Sequence, residues 1–299
     1  MSAGKILLGS RLTIGFLFFL IPYNLLMYGV NDIFDYESDL RNPRKQSIEG
    51  ALVPRAFHRM LWTAIGISVV PLVAWLLTIG SPTAGGVLLF SLFMVVAYSL
   101  KGLRFKEVPV LDSLTSSIHF WSPFAYGAVL AGGKLPLGPA SLAFLAWGAA
   151  SHALGAIQDV RYDKEGGIRS IATVLGARVT AIAATAAYVA SAACLVVGYG
   201  SSGVLPAGIV LLFAVNSGRF LTVTDQESPR TREAWKVFLL LNYYAGFLLT
   251  LEFISLGWFS RFGLEHGTAL RFVAGLLTLA GLACIALRPG MRSHGAGKV

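Results

Sequence analysis

The chain is poor in the residues that keep a protein in water. Only 13% of its 299 residues are charged, against about 25% in an ordinary soluble domain. It has two cysteines, Cys194 and Cys284, each inside an apolar run, and its five histidines are scattered. The sequence therefore offers neither a disulfide framework nor a zinc site with Cys/His spacing. Acidic side chains are scarce as well, fifteen Asp and Glu against twenty-four Lys and Arg. Where those few carboxylates stand therefore carries information.

Apolar residues are what the chain has in quantity: 55% of the total, with a mean hydropathy of +0.68. That composition excludes a large soluble domain and points to a polytopic helical membrane protein. The apolar runs are continuous and about twenty residues long, not alternating, so strand spans are excluded too. Nine spans are expected, at about 11–30, 60–80, 85–100, 110–131, 137–158, 172–198, 205–223, 237–258 and 271–287. Short links such as Ser81-Pro82-Thr83 and Gly200-Ser201-Ser202-Gly203 read as tight turns between antiparallel neighbours. Pro22, Pro71, Pro109 and Pro123 lie in or beside spans and can kink them. Lys5 and Arg11 before the first run resemble a signal peptide, but no small-residue cleavage site follows, so the run reads as a retained span.

The links alternate in charge. Those at 39–59, 101–107, 159–170 and 224–236, the tail from 288, and Arg178 and Arg219 at span ends carry nineteen of the twenty-four basic residues. The opposite links hold Lys134, Arg261 and Arg271. The positive-inside rule puts the basic loops of a multi-pass cell-membrane protein in the cytoplasm. The net charge of +9 is then mostly topology, with a share left for an anionic substrate and none needed for nucleic acid.

Four of the fifteen carboxylates fall within Asn31-Asp32-Ile33-Phe34-Asp35-Tyr36-Glu37-Ser38-Asp39, directly after the first apolar run. On a helix, Asn31, Asp35 and Asp39 share one face, a turn apart. Like charges at that spacing repel, and more strongly at a membrane edge. A compensating cation explains the arrangement better than a solvated acidic cap, because a second motif, Asp159-Val160-Arg161-Tyr162-Asp163, repeats the spacing after the fifth span. Oxygen-only ligands suit Mg²⁺ or Ca²⁺, and Mg²⁺ completes its shell with phosphate and water. Both motifs are expected at cytoplasmic span ends, facing one cavity mouth ringed by Arg and Lys. A diphosphate held there above an apolar cavity points to an isoprenoid diphosphate as substrate. Its allylic cation needs a dry pocket faced by aromatic rings, for which Phe34, Tyr36, Tyr98, Phe120, Trp121 and Tyr243 are among the candidates. His119 and Glu252 are embedded ionisable groups, and His152 stands shortly before Asp159.

With these residues the chain resembles the UbiA superfamily of intramembrane prenyltransferases over essentially its whole length. The run Tyr28–Lys45, Leu103–Glu107, Asp112–Phe120 and Trp235–Leu239 look like the lycopene elongase branch, which forms C45 and C50 carotenoids. The resemblance implies an all-α bundle of nine helices around a central cavity. The chain departs from the family's pattern in lacking a helix before the first motif's span, through either a start placed too far downstream or a fold without that helix, and in carrying an extra C-terminal span. It implies one domain over 1–299, with catalytic helices at about 11–258 and the added span and basic tail at 259–299. It implies a Mg²⁺ enzyme that moves a dimethylallyl or longer prenyl group from its diphosphate to a lipophilic acceptor within membrane lipid, lycopene above others. Asn31, Asp35 and Asp39, assisted by Asp32, would hold one Mg²⁺, and Asp159 and Asp163 the other. Asp35, Asp39, Asp159 and Asp163 would be the catalytic carboxylates. Arg41, Arg44, Lys45, Lys101, Arg104 and Lys106 would approach the diphosphate. Members with a Tyr-x-x-x-Lys pattern place a lysine four residues after the tyrosine, whereas Tyr98 here is followed by Gly102 at that place and Lys101 one residue early. Tyr98, His119, His152 and Tyr243 would line or support the pocket.

Other readings share parts of this pattern. A prenyltransferase for an aromatic quinone precursor would carry the same metal site. A cation-coupled transporter would use the acidic motifs as ion sites, but no inverted repeat or pair of broken spans supports it. A CDP-alcohol phosphotransferase lacks its Asp-Gly-x-x-Ala-Arg lead-in here.

Overall fold

The computed structural model describes residues 9–40, 52–257 and 266–288, and all the regular elements among them are helical. The chain divides into two compact units, residues 1–136 and 137–299. Seven helical stretches are long and apolar enough to cross a membrane. Eight of the nine expected spans lie in those seven, because two of them fall in one 42-residue stretch, Ala177–Gly218. The remaining one, at 110–131, is a helix of crossing length whose polar content keeps it out.

The first unit holds α1 (Ser10–Leu20), α2 (Pro22–Asp39), α3 (His58–Ile79), α4 (Pro82–Ser99) and α5 (Leu111–Leu130). The expected first span is broken between α1 and α2, where Pro22 has no N–H to continue the ladder. The freed carbonyls of Phe19 and Leu20 accept from Asn24 Nδ2 at 2.9 and 3.0 Å. Pro71 and Pro123, by contrast, stay inside α3 and α5. Ser81 caps α4 by accepting from the Ala84 N–H at 3.2 Å, and Pro82 occupies the first turn, where its missing donor costs nothing. α2 lies close on α3 because position 29 is glycine: a Cβ there would sit 2.9 Å from Ile65 Cδ1. That contact fixes the helix that carries Asn31 to Asp39.

The second unit holds α6 (Pro139–Ile157), α7 (Val160–Glu165), α8 (Ile171–Leu175), α9 (Ala177–Tyr199), α10 (Val204–Gly218), α11 (Arg232–Gly257) and α12 (His266–Ala286). The expected span 172–198 starts late. Gly176, at φ +80°, separates the short α8 from α9. Buried Ala177, Ala181, Ala184 and Ala192 let α9 approach its neighbours closely. Hydrogen bonds then fasten it: Ser191 Oγ donates to the Ala143 carbonyl at 2.6 Å, and Ser151 Oγ meets Tyr188 Oη at 3.0 Å. Asn216, buried on α10, donates to the Ala234 carbonyl at 2.8 Å, and its Oδ1 accepts from Arg219 at 3.4 Å. It therefore joins α10 to α11. Glu252 of α11 forms a bidentate pair with Arg271 of α12, at 3.0 and 3.1 Å.

Candidate active site

In the first unit the acidic motif occupies the C-terminal half of α2. Asp35 is its buried member, 6% exposed, while Asn31, Asp32 and Asp39 are half-buried. The loop between α4 and α5 answers that charge. Lys106 Nζ pairs with Asp35 Oδ2, and Arg104 reaches Asp35 Oδ1 at 3.6 Å while pairing with Glu107. Asn31 Oδ1 accepts from Ser99 Oγ at 3.0 Å and from Lys106 Nζ at 3.4 Å. Ser99, at the end of α4, and Glu107 orient this cluster; Ser99 lies in no motif, and Glu107, though within the Leu103–Glu107 run, has no role that spacing assigns.

The loop's backbone is constrained to make these contacts. Arg104 lies at φ 38° and ψ 52°, left-handed for a residue with a side chain, and Val110 lies at φ 73°. A β-branched residue at positive φ persists only where its surroundings hold it. Between them a 3-10 turn, Phe105–Glu107, aims Lys106 at α2. Burial pushes the Lys106 ammonium below its ordinary range, and Asp35 restores part of the loss. The Glu107 hydrogen bond raises Arg104 above its ordinary value, and the Glu107 and Asp35 charges add to this. Lys101, expected to contact diphosphate, is exposed, and Lys106 is the lysine against Asp35. Arg41, Arg44 and Lys45 lie outside the described residues. Tyr98 is half-buried, with its ring edge-on to His119 at 5.5 Å between centroids.

In the second unit Asp159 stands at the position just before α7, after the end of α6, and Asp163 lies on α7, both half-buried. The Asp163 N–H donates to the Asp159 carbonyl at 2.8 Å, which fixes their one-turn spacing. An unexpected residue braces this turn. Asp225, in the loop before α11, accepts from Lys164 of α7 at 2.6 Å and from the Ala177 N–H at 2.7 Å. It so caps α9 and holds α7 with one carboxylate. The Ala177 bond, and then Lys164, hold Asp225 below the usual carboxylate range. Gly176 is needed beside it, since its φ is +80° and a Cβ would come 3.2 Å from Asp225 Oδ1. His152 is half-buried on α6. Tyr243 is 82% exposed, so the lining role expected of it finds no support within its unit.

Among the described residues, no group of three or more His, Cys, Asp or Glu side chains could enclose a metal ion. The donors fit a different arrangement. Asn31, Asp35 and Asp39 present only oxygen from one helix face, and Asp159 and Asp163 do the same from another. A hard cation bound by two or three such ligands leaves positions for phosphate and water. Lys106 and Arg104 already carry the positive charge that balances Asp35.

The UbiA prenyltransferase family model matches residues 2–244, which leaves α12 beyond the matched part. The chain is 48% identical over 241 residues to the C(50) beta-cyclic carotenoids biosynthesis protein LbtBC of Dietzia sp., covering 79% of this chain and 55% of that protein. It thus spans about half the length of that relative. It is 43% identical over 249 residues to a lycopene elongase/hydratase of Corynebacterium glutamicum, covering 81% of this chain and 85% of that one. A lycopene elongase/hydratase of Haloferax volcanii is 34% identical over 171 residues, 55% of this chain and 53% of the relative. No solved structure matches. The chain belongs to the UbiA prenyltransferase family.

Proposed function

We propose that the chain transfers a dimethylallyl group from its diphosphate to lycopene, in a membrane, as a step of C45 and C50 carotenoid formation. The observation that carries this is the cluster of Asn31, Asp35, Lys106 and Arg104, where acid and base are interleaved at the end of an apolar helix. The acceptor is argued from the names of the relatives, lycopene elongase/hydratase and C(50) carotenoid protein.

Asn31, Asp35 and Asp39 are the residues that would hold one Mg²⁺, with Asp32 beside them, and Asp159 and Asp163 would hold another. Bound there, Mg²⁺ would neutralise the diphosphate and favour its departure. Lys106 and Arg104, on the constrained loop, take up the negative charge that grows on the leaving group as the allylic C–O bond breaks. Their positions are set in advance, so little reorganisation is needed at that moment. The apolar spans exclude water, which would otherwise capture the cation. The terminal double bond of lycopene then attacks the allylic carbon. No aromatic ring has to be activated, which is consistent with a site built of charge-balancing groups. The basic loops, including 100–110 and 159–170, face the cytoplasm in this reading.

The test is co-expression in a host that accumulates lycopene, followed by mass analysis of the pigments. Appearance of C45 or C50 carotenoids supports the reading, and unchanged lycopene removes it. In isolated membranes the same activity should require dimethylallyl diphosphate and stop when EDTA removes Mg²⁺. Prenylation of an added quinone precursor in place of lycopene would move the assignment to the aromatic-acceptor class.

A further inference from the structure

α5 is 20 residues long, about 30 Å, enough to cross a membrane. Yet among the described helices of that length it is the one outside the seven apolar stretches. Its polar residues are not turned to solvent. Asp112, Thr115, His119, Ser122 and Tyr126 recur at alternating intervals of three and four, one face of a helix, and none is more than 8% exposed. Neighbouring helices add to the stripe. Tyr98 of α4 meets the His119 ring, and the Tyr23 hydroxyl of α2 lies beside Ser122. Thr115 Oγ1 and Tyr126 Oη, both buried, have no hydrogen-bond partner among the described residues. Packing alone would be served better by Ala, Val and Leu, since each buried polar group away from water costs stability unless it is used.

The stripe has a direction. Asp112 stands in the first turn of α5, where its Oδ1 accepts from the Ser113 N–H at 2.6 Å. Tyr98 lies within electrostatic reach of both Asp112 and Asp35. The stripe therefore starts at the loop end that holds Asp35, Lys106 and Arg104, and runs about 20 Å to Tyr126. Members three or four residues apart have Cβ atoms about 5–6 Å apart, a gap that a rotating hydroxyl or one water molecule closes. A hydroxyl both donates and accepts, and an imidazole can take a proton on one nitrogen and release one from the other.

We propose that this stripe removes the proton that prenyl transfer must discharge, with His119 accepting it and Thr115 and Asp112 passing it to the loop end. The inference rests on the prenyl-transfer reading. When the acceptor's double bond attacks the allylic carbon, a C–C bond forms and a tertiary cation remains. That cation loses a neighbouring C–H proton, whose electron pair becomes the new double bond. If water is captured instead, the new C–O bond leaves one O–H proton in excess. Either way one proton must leave an apolar site, and no oxidant or reductant is involved. The departed diphosphate, at the loop end, is the base that finally takes it.

The test uses membranes carrying the full chain, supplied with dimethylallyl diphosphate, Mg²⁺ and lycopene, and reads diphosphate release and prenylated carotenoid separately. Thr115→Val keeps the shape and removes the hydroxyl; Thr115→Ser keeps the hydroxyl and removes a methyl. The relay requires Thr115→Val to lower carotenoid formation at least about a hundredfold, the low side of what proton transfer contributes, with diphosphate release falling far less. It requires Thr115→Ser to restore the product, and His119→Gln to behave like Thr115→Val. A productive Thr115→Val chain, or equal loss in the Val and Ser variants, overturns the relay and leaves prenyl transfer standing. A wild-type chain that prenylates nothing overturns the reading beneath it and the relay together.

Discussion

Asp35 is the residue on which the site turns. It is the buried carboxylate of its motif, and both basic residues of the α4–α5 loop that reach the motif converge on it. Asp35→Asn keeps size and hydrogen bonding but removes the charge. Turnover is expected to fall by at least about a hundredfold, the scale of losing a central electrostatic group, while the chain still inserts and elutes as a folded species in detergent. Prenyl transfer assayed in membranes, beside size-exclusion of the solubilised protein, checks both halves. Lys106→Gln should instead weaken use of the diphosphate donor, seen as a raised KM with a smaller change in kcat. The carboxylates were legible in the sequence because a helix face turns i, i+4, i+8 into geometry. Ser99 and Glu107 were not. Ser99 meets Asn31 across 68 positions, and Glu107 matters only because Arg104 adopts a left-handed backbone.

Two pairings of elements, both invisible in sequence spacing, hold the second unit's functional parts. The first is Asp225, 48 positions from the amide it caps and 61 from Lys164. Asp225→Ala removes the cap of α9 and is expected to cost about 1 kcal/mol, read as a lower thermal midpoint, together with reduced turnover as α7 loosens under Asp159 and Asp163. The pH dependence follows from its depressed pKa. A carboxyl whose folded value lies below its unfolded one stabilises fully above the ordinary range near about 4, and loses that contribution as pH falls through the folded value. The midpoint gap between wild type and Asp225→Asn should therefore be open at neutral pH and close as the medium becomes strongly acidic. The second pairing is Glu252 with Arg271, which ties α12 to α11. Glu252→Ala would strand a cation in an apolar setting and should cost about 3–5 kcal/mol, whereas replacing both partners by Met should be close to neutral. Thermal unfolding of the two variants separates a structural tie from a catalytic one, because prenyl transfer should survive in the double variant.

At the scale of the whole molecule, the order of helices follows closely from runs of apolar residues, since a bilayer demands them and the sequence obeys. By sequence the run at 110–131 reads as one more apolar span, and its stripe of polar residues does not stand out because a span is judged by its mean rather than by its faces. Which side the loops face is a matter of charge, and it can be tested with the residues already present. Lys101 and Lys134 are both exposed and stand on links at opposite ends of α5. The positive-inside rule puts Lys101 in the cytoplasm and Lys134 outside. Cys194 and Cys284 can be replaced by Ala to give a background without thiols. Single cysteines at 101 and 134 are then probed in whole cells with a membrane-impermeant maleimide. Cysteine at 134 should label in intact cells, and cysteine at 101 only after permeabilisation. The reverse pattern would put the Asp35–Lys106 cluster on the outer face, away from a donor diphosphate supplied in the cytoplasm, and the proposed reaction would lose its substrate.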